Sequence, residues 1–369
     1  MSRWAWAEID HDAIRHNVEV LRRAVAPAAV WAVVKADGYG HGAIDVARSA
    51  LDAGAEGLCV ALANEGAELR LAGIDAPILL LTEQPLTDIA QVGDHRLLST
   101  VYTQSYVEAL AALGADGLGV HLKVDTGMGR VGVAPEDARA LAETVARHAP
   151  RLRLAGVATH LSSADDVADP ATAAQLAVFE AVLAVLPATP AVHAANSAGG
   201  LAHPLSRYSF VRAGIAIYGI SPGHGVDHLC GELRPAMRLL ARVSYVKRVE
   251  AGDRISYGLR HTFTRPTTVA TVPIGYADGV PRRLFGTGGE VLVGGRRHPI
   301  VGAVTMDQLM VDVGDDAVAV GDEVVLIGEQ EGERVTAEEW ADRLGTIGYE
   351  VVCGVSKRIA RVRRRTIGG

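Results

Sequence analysis

Up to about residue 220 the chain alternates short apolar runs with amphipathic stretches. The runs are AVWAVVKA (29–36), GLCVALA (57–63), PILLLT (77–82), RLLSTVY (96–102), LGVHLKVD (118–125), LAGVATHL (154–161), AVHAAN (191–196) and FVRAGIAIYG (210–219). Each is nearly continuous rather than alternating, as in strands buried on both faces. Between them, HDAIRHNVEVLRRAV (11–25) sets Ile14, Val18, Leu21 and Val25 on one helical face, with Asp10 as its predicted N-cap. PEDARALAETVARHAP and ATAAQLAVFEAVLAVL carry the same period. Eight such strands alternating with helices predict an α/β fold, a closed parallel (β/α)8 TIM barrel over residues 10–235.

Beyond residue 235 the period shortens. Val, Arg and Thr alternate in LLARVSYVKRVEAGDRISYG and TTVATVPIGYADG, and glycines punctuate VLVGGRRHPIVGAVTMDQLMVDVG and GDEVVLIG. This pattern predicts a C-terminal, mainly antiparallel β domain over 236–369. One helix is expected at 336–344, where Thr336 and Glu339 have capping-box spacing.

Composition adds exclusions. The 369 residues are 49% hydrophobic and 21% charged, enough for a large core and two domains. A net charge of −7 gives no electrostatic case for nucleic acid or a membrane surface. The Arg-rich end (Arg358, Arg361, Arg363, Arg364, Arg365) is interleaved with apolar residues and reads as a solvated edge strand and tail. Cys59, Cys230 and Cys353 have neither metal nor disulfide spacing, which suits a reducing compartment. The opening MSRWAWAEIDHDAI lacks a basic-then-apolar leader, and no run approaches the ~20 apolar residues of a membrane span. A cytoplasmic location is therefore expected.

In such a barrel, reactive groups occupy the C-terminal ends of strands and the loops that follow. Those ends carry Lys35, Lys123 with Arg130 just after, His160, Asn196-Ser197 and Arg212. Taken alone, Lys35 is either a lysine snorkelling to solvent or, in a desolvated site, an amine of lowered pKa suited to Schiff-base chemistry or proton transfer. Gly38, Gly40 and Gly42 after it would let backbone amides approach an anion, although GK[ST] is absent and this is no P-loop.

AVVKADGYGHGA (32–43) resembles the pyridoxal-phosphate lysine motif of the alanine racemases. The resemblance continues in order through HLKVDTGMGRVGV, THLSSAD, HAANSAG, VRAGIAIYG, ISYGLRHT, IGYADG, TMDQ and IGYEVVC, across nearly the whole chain. It implies that pyridoxal 5'-phosphate is the cofactor, joined to Lys35, and that Lys35 and Tyr257 are the two catalytic bases, on opposite faces of the substrate. A tyrosine of ordinary pKa near 10 is a poor base at neutral pH; in the family a hydrogen-bond chain through a histidine and an arginine, matching His160 and Arg212, supports it. Arg212 would face the pyridine nitrogen and, unlike an acid, cannot take up or pass on its proton. Tyr39, Ser197, Gly214, Ile215 and Tyr349 would hold the phosphate, and Asn196 either joins them or supports Ser197 as a turn residue.

The resemblance further implies that Arg130, Met306 and Asp307 bind the substrate carboxylate, with Lys123 supporting Arg130, in many members as a carbamate. Asp165, Tyr276, Arg282 and Ile347 match a gateway. Residues 1–9 would join the β domain, which in this family completes the active site of a partner subunit, so a homodimer is implied. One position departs: where members usually carry an arginine three residues before the methionine of the MD pair, this chain has Ala303, which puts the gate's charge pairing in doubt. The implied activity is interconversion of L- and D-alanine, an isomerase function supplying D-alanine for peptidoglycan. Alternatives are a racemase of serine or broader specificity, a barrel-fold pyridoxal-phosphate decarboxylase, and a non-catalytic pyridoxal-phosphate carrier. Arg212 and Tyr257 speak against the decarboxylase and the β domain against the carrier, while Tyr276 and Tyr349 should leave room for little more than a methyl.

Overall fold

The structure is a computed structural model, and it describes residues 4–114 and 116–364. Met1–Arg3, which the strand expected over 1–9 included, and Arg365 of the Arg-rich end lie outside the described residues. The chain divides into two compact units: one spans Asp12–Arg234, and the other joins the residues up to His11 to those from Pro235 onward.

Strand β1 (Ala5–Ile9) belongs to the second unit. The first unit contains β2 (Ala29–Val33), β3 (Gly57–Val60), β4 (Ile78–Leu80), β5 (Leu98–Val101), β6 (Leu118–Lys123), β7 (Leu152–Ala158), β8 (Ala191–His193) and β9 (Phe210–Ala213). All are parallel and pair in the order β8-β7-β6-β5-β4-β3-β2-β9, so each of the eight expected runs supplies one strand of a barrel. The seam between β8 and β9 is bridged by Ser209 N donating to Val192 O at 2.9 Å and Arg212 N donating to Ala195 O at 3.1 Å. The ladder between β6 and β7 is irregular: its register slips between Val120 and His121, bringing His121 opposite Gly156. Such a bulge re-aims the side chains that follow it. The apolar face read in residues 11–25 is realised, with Ile14, Val18, Leu21 and Val25 all buried.

The second unit adds β10 (Met237–Arg242), β11 (Tyr245–Val249), β12 (Arg254–Ile255), β13 (His261–Thr262), β14 (Thr267–Val272), β15 (Glu290–Val293), β16 (Arg296–Val301), β17 (Leu309–Gly314), β18 (Glu323–Gln330), β19 (Glu333–Val335) and β20 (Ala360–Arg363). The main sheet runs β11-β14-β17-β16-β15-β18-β10-β1-β20, antiparallel except where β20 lies parallel to β1. The Arg-rich end is more than solvated tail: Arg361 donates to the carbonyls of Val355, Ser356 and Ile359, Arg364 pairs with Asp10, and Arg358 binds two carboxylates.

Helix Ala337–Leu344 starts as expected, with Thr336 Oγ1 accepting from Glu339 N at 3.0 Å. The Glu339 carboxylate instead takes Arg297 at 2.9 Å and Arg343 at 3.0 Å, a charge-assisted alternative stronger than the reciprocal cap. A helix unforeseen from sequence, Gly348–Cys353, forms within the IGYEVVC segment. Its six residues are too few for a 3.6 period to show.

Candidate active site

In the barrel unit, the chain leaves β2 through Val34, whose N–H donates to Cys59 O at 2.9 Å, and reaches Lys35. It then turns left-handed: Ala36, Asp37, Gly38 and Tyr39 have φ of 52°, 54°, 60° and 52°. Only one of the four is glycine, and each L-residue held there costs about 1–2 kcal/mol. Local hydrogen bonds offset that strain. Glu65 Oε1 accepts from Ala36 N at 2.6 Å while its Oε2 accepts from Ala61 N and Leu62 N. Asp37 Oδ1 accepts from Ala43 N at 3.1 Å, and His41 Nδ1 donates to the carbonyls of Gly38 and Tyr39. Gly40 and Gly42 follow it at φ of 79° and 94°.

The turn aims Tyr39 inward. Its ring stacks on Tyr218 with centroids 4.9 Å apart, and its hydroxyl reaches Gly214, where an added Cβ would lie 2.7 Å from Oη. Ser197 Oγ accepts from Gly214 N at 2.9 Å, and Ile215 opens the 3-10 turn that follows. Tyr39, Ser197, Gly214 and Ile215 therefore meet at one cradle of hydroxyls and backbone N–H groups, a setting suited to a phosphate. Asn196 caps helix Ser197–Ala202, its Oδ1 accepting from Gly199 N at 2.9 Å.

Arg212 on β9 is 5% exposed, and no carboxylate pairs with it among the described residues. Its Nη1 donates to His193 Nδ1 at 2.6 Å; its Nη2 reaches His160 Nδ1 at 3.1 Å and the carbonyls of Thr159 and Ala194 at 3.0 and 2.8 Å. Burial lowers its pKa to about 10, which still leaves it cationic at neutral pH. Burial, then Arg212, Arg130, Lys123 and Lys35 in turn, hold His160 well below the usual imidazole range, so it is neutral. Lys123 ends β6 at 9% exposure, lowered to about 8 by burial and then by Arg212 and Arg130. Arg130 follows in an exposed loop shaped by Asp125 Oδ1, which accepts from Gly127 N and Gly129 N. Lys35, Lys123, Arg130 and Arg212 thus raise one field of positive potential, opposed at Lys123 by the charge of Asp125. Asp165 lies in the loop after β7, packed against Gly223 and Gly225.

The remaining candidates belong to the second unit. Tyr257 stands 71% exposed on the turn between β12 and β13, which Ser256 Oγ ties down by donating to Ala303 O at 2.7 Å. Met306 is 52% exposed. Its loop is joined to the one bearing Tyr276, because Tyr276 N donates to Thr305 O and Ala277 N to Met306 O. Buried Asp278 accepts from Gly275 N at 2.9 Å and pairs with Arg358, which also donates to Asp307 Oδ1 at 2.7 Å. Ile347 is exposed, Tyr349 half-buried on the short helix, and Arg282 lines a cavity of about 410 Å³ with Pro281, Thr346 and Glu350. Ala303 is buried.

Sequence reasoning missed Glu65, His121, His193, Asp278 and Arg358. His121 and His193 do stand inside the quoted HLKVD and HAANS segments, two residues before Lys123 and three before Asn196. Their partners, however, come from other strands.

Comparison with known proteins agrees over both units. The family model for the alanine racemase N-terminal domain matches residues 9–222, and that for the C-terminal domain matches 236–363. Alanine racemases of Symbiobacterium thermophilum and Thermobifida fusca are 48% and 44% identical, the first covering 97% of each chain and the second 98%. The crystal structure of alanine racemase from E. faecalis superposes with a TM-score of 0.92 at 41% identity over 98% of both chains. With matches of this extent running through the barrel and the β domain alike, the chain belongs to the alanine racemase family.

Proposed function

We propose that the protein is a pyridoxal-phosphate-dependent isomerase that interconverts L- and D-alanine with two opposed bases. The observation that carries this reading is the buried Arg212 guanidinium, whose Nε has no hydrogen-bond partner and which pairs with no carboxylate among the described residues. A buried cation so placed calls for an electron-rich or anionic group, and the Tyr39–Ser197–Gly214 cradle fits a phosphate. Bound pyridoxal phosphate would supply a carbonyl for an amine and a ring that withdraws electrons from the substrate's Cα–H bond.

The chain's own residues do the rest. Lys35 holds the cofactor and moves a proton on one face of Cα. Tyr257, supplied by a second copy of the chain, moves a proton on the other. Tyr39, Ser197, Gly214, Ile215 and Tyr349 hold the phosphate, with Asn196 fixing Ser197. Arg212 donates to the ring nitrogen without protonating it, because a guanidinium keeps its proton. Less charge is then drawn into the ring and more of the reaction rests on the two bases. His160 accepts from Arg212 at Nδ1 and is neutral, so its proton sits on Nε2, ready to be donated to a tyrosine oxygen. Arg130, Met306 and Asp307 orient the substrate carboxylate, Lys123 steadies Arg130, and Asp165, Tyr276, Arg282 and Ile347 line the way in.

The exposure of Tyr257 and Met306 on a single chain supports a homodimer with shared sites. In this reading the barrel and the β domain are joined near residue 235, and the D-alanine formed in the cytoplasm feeds peptidoglycan. A chiral assay across alanine, serine and other amino acids tests the reading, with alanine expected to turn over fastest. Lys35→Ala should lose both the visible cofactor band and activity; retention of both sinks the proposal. Mixing inactive Lys35→Ala with inactive Tyr257→Phe should restore part of the activity after subunit exchange.

A further inference from the structure

The guanidinium of Arg212 is held on one side by a pair of histidines that the proposed reaction does not use. Arg212 Nη1 lies 2.6 Å from His193 Nδ1, and His193 Nε2 lies 2.9 Å from His121 Nδ1. The direction of this chain follows from the donors. A guanidinium only donates, so His193 Nδ1 must accept; in a neutral imidazole the proton is then on Nε2. That proton can go only to His121 Nδ1, which fixes His121 as the Nε2–H tautomer too. An imidazolium at His193 would turn an N–H against an N–H.

The barrel is built to admit this pair. His193 is the last residue of β8, stacked on Phe210 with centroids 4.3 Å apart, and Phe210 stacks in turn on Trp31. The β6–β7 bulge sets His121 against Gly156, where an added Cβ would lie 2.5 Å from His121 Nδ1. Glycine is needed there for the ring to fit. Burial keeps both rings neutral, followed by the positive charges of Arg153 and Arg212 at His121 and of Arg212 at His193.

We infer that His193, backed by His121, is a positioning residue: the pair fixes the plane of the Arg212 guanidinium so that Nε–H, which has no hydrogen-bond partner among the described residues, is presented to the cofactor's ring nitrogen. This deepens the proposed function and rests on pyridoxal phosphate being the cofactor. The functional burden falls on an acceptor at the His193 Nδ1 position rather than on an imidazole as such. Asparagine, whose Oδ1 can take the place of Nδ1, should then substitute, whereas leucine should not.

Two measurements test it. In the apoprotein labelled with ¹⁵N-histidine, long-range ¹H–¹⁵N spectra at neutral pH should show His193 and His121 neutral and protonated at Nε2, with peaks assigned through His193→Asn and His121→Asn. A proton on His193 Nδ1, or an imidazolium there, overturns the relay whatever the cofactor proves to be. Titration with pyridoxal phosphate should then show His193→Leu binding about tenfold or more weakly, the loss expected when a buried donor is left without its acceptor. The absorption band of the bound cofactor should shift, and His193→Asn should recover most of the affinity and the band. A folded His193→Leu with unchanged affinity and spectrum overturns the inference. Should that variant not fold, His121→Leu and Gly156→Ala read the same band, and no shift in either counts equally against it. Failure of the wild-type protein to bind pyridoxal phosphate would sink the cofactor reading instead, and the tautomer result separates the two.

Discussion

Lys123 shows how the barrel's electrostatics set stability against function. Its amine is nearly buried beside Arg212 and Arg130, and its pKa is drawn from 10.5 down to about 8. At pH 7 the amine is protonated in both folded and unfolded chains, but only the folded chain bears the burial and like-charge cost, because its proton is held less tightly there. Replacing it with an apolar residue of similar length should relieve that cost. In buffer freed of carbon dioxide, Lys123→Met is expected to raise the free energy of unfolding at pH 7 by about 1–3 kcal/mol. Activity should fall, because Arg130 loses its neighbour. Urea unfolding with a parallel racemisation assay checks this. If carbon dioxide converts the amine to a carbamate, the anion gains from Arg130 and Arg212, and the same substitution should become destabilising. Much at this scale was legible beforehand, because a (β/α)8 barrel exposes its strand ends and those ends carry Lys35, Lys123, His160 and Arg212. Glu65, His121 and His193 were not, because Glu65 acts on a group 29 positions away and the two histidines act on residues of other strands, and no local pattern marks such a pairing.

The element that carries Lys35 was the least foreseeable. Glycine-rich spacing signals positive φ, but three of the four left-handed residues carry a Cβ, and the hydrogen bonds that offset the strain come from Glu65, Asp37 and His41. The strands and long helices could be read because burial imposes their period; a left-handed turn has none. Ala36 is exposed and keeps its N–H bond to Glu65 whatever its side chain. Ala36→Gly should therefore relieve steric strain and stabilise the protein by up to about 1 kcal/mol, after the glycine's greater unfolded-state entropy is subtracted. Gly38→Ala should act in the opposite sense. It places a Cβ 3.2 Å from Ala43 N and Cα at a φ of 60°, at an expected cost of about 1–2 kcal/mol. Urea midpoints of the two variants check the pair, and equal shifts of the same sign would refute the strained-turn account. Because the turn delivers both Lys35 and Tyr39, Gly38→Ala should also weaken phosphate binding, whereas loss of stability alone would leave it unchanged below the midpoint.

At the scale of the whole molecule, the neutral histidines of the barrel make the fold sensitive to acid. Burial is the first cause of lowered pKa at His121, which falls from 6.5 to about 3, and at His160 and His193, which lie well below their ordinary value. Well above pH 6.5 folded and unfolded chains are both neutral at these sites, and stability does not depend on them. Below pH 6.5 the unfolded chain takes up protons that the folded chain refuses, so stability falls with pH by about 1.4 kcal/mol per pH unit for each site. Glu83, whose pKa is raised chiefly by burial, works the other way, since its folded form binds a proton more readily. Three histidines less at most one carboxylate leave a net slope of about 2.7–4 kcal/mol per pH unit once the unfolded histidines are fully protonated. The decisive window lies between pH 6.5 and 4.5. Below it, Asp125 and Glu339, whose pKa values the folded state holds down, add their own losses. Urea unfolding of the apoprotein at half-unit intervals should therefore show a plateau between about pH 7 and 8, below the range in which Lys123 titrates, and a steep decline beneath pH 6.5. His121→Asn, which retains an acceptor for His193 Nε2 but cannot titrate, should flatten the decline by about 1.4 kcal/mol per pH unit. A wild-type profile flat down to pH 4.5 would mean that the three rings are open to protonation in the folded barrel. The hydrogen bonds joining them to Arg212 would then have to break and reform with little loss, against the packing that surrounds them.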